Sequence, residues 1–228
     1  PAPARRRPPA ADAAARRLAG PGLADRAGRG VFYGSALTEA SACQDQEVYV
    51  VGGANSAGQA ALYLAREAKQ VTLVVRGDSL ARSMSSYLVE QVEAHPRVRV
   101  LTRTEVVAAS GDDHLEHLEL RDLDAGTTSR VECGWAFVFI GVAPRTDWLD
   151  GVVARDPRGF VLAGPDLLHD GAPPAGWTLD RPPYHLETSV PGVFAAGDVR
   201  AESAKRVASA VGEGAMAVML VHRYLEQL

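Results

Sequence analysis

A chain of 228 residues has room for one large domain or two small ones. Its 46% hydrophobic and 23% charged residues are ordinary globular usage, which excludes a disordered, collagenous or coiled-coil protein. No apolar run reaches the ~18 residues that span a bilayer and no charged-then-apolar signal segment opens the chain, so a soluble cytoplasmic protein without a membrane partner is expected. The formal net charge of −4 hides an asymmetry, because residues 1–30 carry seven arginines against Asp12 and Asp25. The remaining body is acidic, which argues against nucleic-acid binding by the folded part.

In chain order, residues 1–18 come first, built from Pro, Ala and Arg with Pro3, Pro8 and Pro9 breaking any amphipathic helix. Such a stretch buries too little apolar surface to offset its ordering entropy, and a disordered tail is expected. Residues 19–42 read as a connecting segment in which Gly20, Gly22, Gly28 and Gly30 follow no strand. Glu47–Val51 (EVYVV) reads as a buried strand, Asn55–Lys69 as a helix with Ala57, Ala60, Ala61, Leu64 and Ala65 on one face, and Val71–Val75 as a second strand. This βαβ unit implies a parallel sheet covered by helices, an α/β fold.

A helix over Ala81–Ala94 and a strand at Arg97–Leu101 follow. An antiparallel meander is expected at Glu105–Ala109, Leu115–Leu120 and Ser129–Cys133, then a buried strand at Trp135–Ile140. Gly151–Pro183 is rich in Gly, Pro and Asp, with a strand expected at Gly159–Leu162. A strand at Gly192–Ala196 and a helix from Lys205 to Leu225 complete the pattern.

The loop Gly52-Gly53-Ala54-Asn55-Ser56-Ala57 lies between a strand and a helix, where a glycine-rich match carries weight. Read as G-x-A-x-x-A, its first glycine permits the tight turn and its last small residue lets helix approach strand. The helix N-terminus offers free N–H groups to a pyrophosphate, with Asn55 and Ser56 as N-cap residues. Ala54 stands where glycine normally admits the phosphate, and a tight turn without ligand is the competing reading. Arg76 follows the second strand and Arg82 opens the next helix, where an arginine suits the 2′-phosphate of NADP and an acid would suit NAD. NADPH is therefore preferred to NADH.

A second string, Thr188-Ser-Val-Pro-Gly-Val-Phe-Ala-Ala-Gly197-Asp198-Val199, combines a Pro-Gly turn, a short strand and a Gly-Asp pair. With the βαβ unit before it, it resembles the C-terminal flavin motif of the pyridine nucleotide–disulfide oxidoreductases, and in pattern the low-molecular-weight thioredoxin reductases. Trp135–Pro144 (WAFVFIGVAP), with Ile140 and Gly141 as candidate cofactor contacts, is similar to the strand and Gly-x-x-Pro exit that returns that family's NADPH domain to its FAD domain. Lys205-Arg206-Val207 is similar to the stretch that begins a helix beside the flavin. Gly212-x-Gly214-x-x-Ala217 also fits a dinucleotide template but lies inside a helical pattern, and is read as helix packing.

The resemblance covers residues 19–228 and implies a Rossmann-like NADPH-binding domain, at 43–143, inserted in a partial FAD-binding domain whose C-terminal part is 144–228. FAD and NADP are the implied cofactors, Gly197 and Asp198 the implied flavin contacts, and a homodimer a possible assembly. The implied activity is that of an NADPH-dependent flavoprotein oxidoreductase of thioredoxin-disulfide reductase type. Two departures qualify it.

Within Gly30–Leu37, Gly34 and Leu37 occupy the positions of the family's redox-active cysteines, so electrons leaving the flavin need an acceptor reached without a C-x-x-C disulfide. The N-terminal strand and G-x-G-x-x-G that hold the ADP half of FAD are also missing. A fragment of a longer protein, a second polypeptide supplying that half, and a chain that binds no FAD all remain open. The alternative from a different class is a non-catalytic NADPH-binding module or inactive fragment. Cys43 and Cys133 have no metal-ligand spacing and none of the six histidines pairs at metal spacing on a helix, so neither a metal nor a catalytic side chain is expected.

Overall fold

The computed structural model describes residues 12–34 and 40–227. They divide into two compact units, one over Ala15–Gly141 and one made of residues 12–14 with 142–227. The expectation of disorder at residues 1–11, and Leu37 with its neighbours 35–39, lie outside the described residues.

Among the described residues, ten strands run in chain order. β1 is Ala13–Ala15, β2 Val31–Tyr33, β3 Glu47–Val51, β4 Gln70–Val74, β5 Val98–Leu101 and β6 Thr104–Ser110. β7 is His117–Asp122, β8 Thr128–Glu132, β9 Trp135–Val138 and β10 Val142–Pro144. The α-helices are α1 (Asn55–Leu64), α2 (Ser86–Ala94) and α3 (Val207–Leu225).

The larger unit is built on a parallel sheet of order β2-β9-β3-β4-β5. Side chains of a strand alternate between faces, and the central strands here are apolar on both. Val48, Val50, Val71, Leu73 and Phe137 pack with Ala57, Ala61 and Leu64 of α1 and Leu88 and Val92 of α2. The alternate residues Tyr49, Val51, Val74, Ala136 and Val138 pack on the other face with Val106, Leu118 and Leu120. Those last residues belong to an antiparallel sheet, β6-β7-β8, which is the expected meander and carries a bulge at Val107. The parallel sheet is therefore covered by helices on one side and by the meander on the other.

Two helices are shorter than the apolar pattern predicts, each for a local reason. α1 stops at Leu64 instead of Lys69, and the guanidinium of Arg97 donates to the carbonyls of Ala65, Arg66 and Ala68 at 3.3–3.4 Å. Those carbonyls are satisfied without continuing the helix. The helix expected over Ala81–Ala94 splits into a short 3-10 turn at Leu80–Arg82 and α2, because the intervening serines bond elsewhere. Ser83 Oγ donates to the Gly53 carbonyl at 2.8 Å, and the Ser85 N–H donates to Asn55 Oδ1 at 2.8 Å.

The segment before β2, read as tail and connector, is folded in part. Ala13–Ala15 pairs with β10, and Gly22 lies against the meander so closely that a Cβ there would sit 1.9 Å from the Ala109 carbonyl oxygen. With φ of +72°, Gly22 is a position only glycine fills without strain.

The smaller unit has a modest core of Val153, Val161, Ala195 and Val199. The strands expected at Gly159–Leu162 and Gly192–Ala196 are isolated bridges, Val161 to Arg155 and Arg200, and Phe194 to Glu187. Near the first, Asp156 accepts the N–H groups of Arg158 and Phe160, fixing a turn that competes with a ladder. α3 begins at Val207, because Lys205 has φ of +48° and is not helical.

Candidate functional site

Gly52 leaves β3 with φ of +145°, and a Cβ there would lie 2.4 Å from the Phe139 carbonyl oxygen beyond β9. Its N–H donates to the Val74 carbonyl at 3.0 Å, so the turn is fastened between β4 and the exit of β9. The chain then enters α1, whose N-cap is the extended Ala54. Asn55 and Ser56 are thus the first helical residues and not the caps, which corrects the expectation. The Asn55 side chain instead accepts from Ser85, tying α1 to the start of α2. The Ala57 and Gly58 N–H groups donate to the Ala54 carbonyl at 3.0 and 3.2 Å, which leaves the first two N–H groups of α1, at Asn55 and Ser56, as the positive end of the helix.

That edge bounds a cavity of about 650 Å³. Its lining includes Gly52, Gly53 and Ala54 from the loop, Arg76 and Arg82 from the segment after β4, and Ile140 with Gly141 after β9. Seven of the candidate residues therefore meet at one place. Asn55 and Ser56 are not part of that lining, and Ala57 is fully buried with its Cβ near Gly52, where its small size lets helix and strand approach.

The cavity also has walls that sequence reasoning missed. Arg16, Arg17, Leu18 and Ala19 line it, as do Ser79, Ser83, Thr104 and Glu105. The arginine pair lay in a stretch without periodicity, and only its long-range fastening to Gly141 and β6 brings it here. The cavity is electropositive. Arg82 is offset by Asp78 at 3.4 Å and Glu105 by Arg121, whereas the Arg16 and Arg76 side chains have no ion-pair partner among the described residues.

The second candidate group belongs to the smaller unit. Gly197, Asp198 and Val199 form a 3-10 turn, and the Gly197 N–H donates to Glu213 Oε2 of α3 at 2.7 Å. Arg200 pairs with Glu213 at 2.6 Å, and the Lys205 ammonium sits 4.2 Å from the centre of the Phe160 ring while donating to the Arg200 carbonyl. Burial lowers the Lys205 pKa from its usual range, with Asp198 pulling the other way. Arg206 is the N-cap of α3 and Val207 its exposed first residue. Asp198 is half-exposed without a hydrogen-bond partner among the described residues, free to accept from a ligand.

Neither cysteine is available as a nucleophile. Both are buried, and burial pushes the Cys133 thiol up to about 12, its proton directed at the Trp135 carbonyl at 3.3 Å. Gly34 directly follows β2. Among the described residues no group of His, Cys, Asp and Glu has metal-site geometry, and no helix is long and apolar enough to cross a membrane.

The family model for pyridine nucleotide-disulphide oxidoreductases matches residues 10–214. The chain belongs to this family. Among its relatives, a thioredoxin reductase of Peptoclostridium acidaminophilum is 33% identical over 223 residues, covering 95% of this chain and 64% of that protein. A thioredoxin reductase of Mycolicibacterium smegmatis is 33% identical over 215 residues, covering 94% and 62%. The crystal structure of Lactococcus lactis thioredoxin reductase superposes with a TM-score of 0.76 at 25% identity, covering 95% of this chain and 64% of that one. That of Streptococcus pyogenes gives 0.64 at 30% identity, with the same coverage. This family member thus spans about 64% of the length of the first of these relatives. Thioredoxin reductases use FAD and NADPH.

Proposed function

We propose that the chain binds NADPH in the cavity at the C-terminal edge of the parallel sheet and forms the nucleotide-binding part of an NADPH-dependent flavoprotein oxidoreductase. The observation that carries this reading is the meeting of three independently placed features in one cavity: the Gly52–Ala54 turn, Arg76 and the Phe139–Gly141 exit. The helix N-terminus and turn N–H groups suit the pyrophosphate, and the unpaired Arg76 guanidinium suits the 2′-phosphate. The cavity volume of about 650 Å³ is in the range for a small-molecule cofactor.

FAD is assigned to Gly197–Val199 and the start of α3, with Asp198 accepting from the cofactor and Lys205 adding positive charge where a reduced flavin is negative. When both are bound, NADPH supplies a hydride and FAD receives it. This chain's residues orient the two and provide no acid, base or nucleophile. Gly34 and the buried cysteines support an acceptor reached without a C-x-x-C disulfide.

The second reading, an NADPH-binding module without turnover, is favoured by the cavity itself, whose lining lies wholly within Ala15–Gly141. Absorption spectra of the purified chain, taken anaerobically before and after adding FAD and then NADPH, separate the two. Flavin bands that bleach with NADPH support the oxidoreductase. Dinucleotide binding without flavin retention supports the module.

A further inference from the structure

The order of the sheet lays out the cavity. The Gly52–Ala54 turn leaves β3, Arg76 follows β4 on one side, and Phe139–Gly141 follow β9 on the other. The chain at Arg16 is fastened to the β9 side, its N–H donating to the Gly141 carbonyl at 2.9 Å. The next residue, Arg17, lines the same cavity, with its guanidinium 5.4 Å from the centre of the Tyr33 ring. Tyr33 ends β2, the strand beyond β9, and its hydroxyl accepts the Leu18 N–H at 3.2 Å. One aromatic side chain thus holds both the backbone of this segment and its cation.

A guanidinium held over an aromatic ring is restrained by the ring while its N–H groups can still reach an anion. Restraint before binding also lowers the entropy lost on gripping a ligand. With Arg76 on the 2′-phosphate, the adenosine half of a dinucleotide lies toward β4 and its nicotinamide half toward β9. The phosphate next to the nicotinamide ribose then falls on the side of the sheet edge where Arg17 stands.

We propose that Arg17 binds the diphosphate of the dinucleotide from its nicotinamide side, with Tyr33 as the positioning residue that holds it there. The proposal rests on reading the cavity as the NADPH site, and it assigns the two arginines different tasks. Arg17 acts on any dinucleotide, whereas Arg76 acts only on those carrying a 2′-phosphate.

The test is calorimetric titration of the full chain with four probes: NADPH, NADH, ADP-ribose and adenosine 2′,5′-bisphosphate, which lacks the nicotinamide-side phosphate. Arg17→Ala is expected to weaken the first three by about tenfold and to leave the bisphosphate within about twofold, as for loss of one charged hydrogen bond. Tyr33→Phe keeps the ring beneath Arg17 but releases the Leu18 N–H, and is expected to lose less affinity than Tyr33→Leu. Tyr33→Leu is expected to reproduce the Arg17→Ala loss without adding to it in the double variant. Unchanged affinity of Arg17→Ala for NADH and ADP-ribose overturns the proposal. So does a loss confined to NADPH and the bisphosphate, which would place Arg17 on the 2′-phosphate. Wild-type protein that binds none of the probes overturns the cavity reading itself, whereas wild-type binding with an indifferent Arg17→Ala overturns only the role of Arg17. Arg17 is exposed, so its variant tests binding without threatening the fold.

Discussion

At the scale of single residues, the meeting of the glycine turn and Arg76 at one cavity was legible because their positions are coded locally. Gly52 is one residue past a strand and Arg76 follows the next, and strand–turn–helix geometry does the rest. Arg16 and Arg17 were not legible, since nothing within ten residues of them marks a site; their place depends on hydrogen bonds to Gly141 and on Tyr33. Arg76→Ala should weaken NADPH binding by about 1–3 kcal/mol, the value of a charged hydrogen bond, while NADH changes little. Titration of both cofactors checks this, and equal weakening would remove Arg76 from the 2′-phosphate. Gly52→Ala places a methyl group 2.4 Å from the Phe139 carbonyl oxygen at φ of +145°. It should destabilise the larger unit by roughly 2–3 kcal/mol and lower cofactor affinity with it, measurable by urea unfolding and titration.

At the scale of elements, the β3-α1-β4 unit and the meander emerge from local pattern, because β3 and β4 are largely apolar runs flanking an amphipathic helix and β7 alternates Leu118 and Leu120 with polar neighbours. The Gly159–Leu162 and Gly192–Ala196 strands failed because hydrophobic runs in a Pro- and Gly-rich stretch have too few ladder partners to extend a bridge. What organises this stretch is Glu187, which precedes the recognisable motif string and belongs to no pattern. Its carboxylate is fully buried and accepts from Arg181 at 2.6 Å and 3.2 Å, and from the N–H groups of Tyr184 and Gly192 at 2.9 Å each.

Burial pushes the Glu187 pKa up, but Arg181 and the two N–H groups outweigh it, and the net direction is below the ordinary 4.5. Glu213 is lowered too, by its bond to Arg200. A carboxyl whose folded pKa is depressed stabilises the fold above its unfolded value, and that contribution is lost as pH falls through the folded one. Acid unfolding of the smaller unit should therefore set in below about pH 4.5. Glu187→Leu, which leaves Arg181 without its buried partner, should cost about 3–5 kcal/mol at neutral pH and flatten the acid limb. Denaturant titrations at pH 3.5, 5 and 7 check both effects.

At the scale of the whole molecule, the two units hold separate apolar cores of unequal size. The larger unit buries two extended clusters, one on each face of its parallel sheet, whereas the smaller holds four buried side chains in its cluster. Heat should unfold the chain in two steps, the smaller unit first, and NADPH should raise only the second. Calorimetry with and without the cofactor checks this, and a single transition raised throughout would show that the units unfold as one.

The bond from Arg16 to Gly141 joins the two ends of the larger unit, so the chain enters and leaves it at the same point. A module whose ends touch can be cut out, or its ends sealed and new ones opened elsewhere, without stretching any connection. Residues 15–141 expressed alone should therefore fold and bind NADPH as the full chain does. The same module, re-opened at the exposed turn Asp124–Gly126 between β7 and β8, should behave alike. Such portability makes the unit a cassette that recombination can lodge in a new host without redesigning either partner.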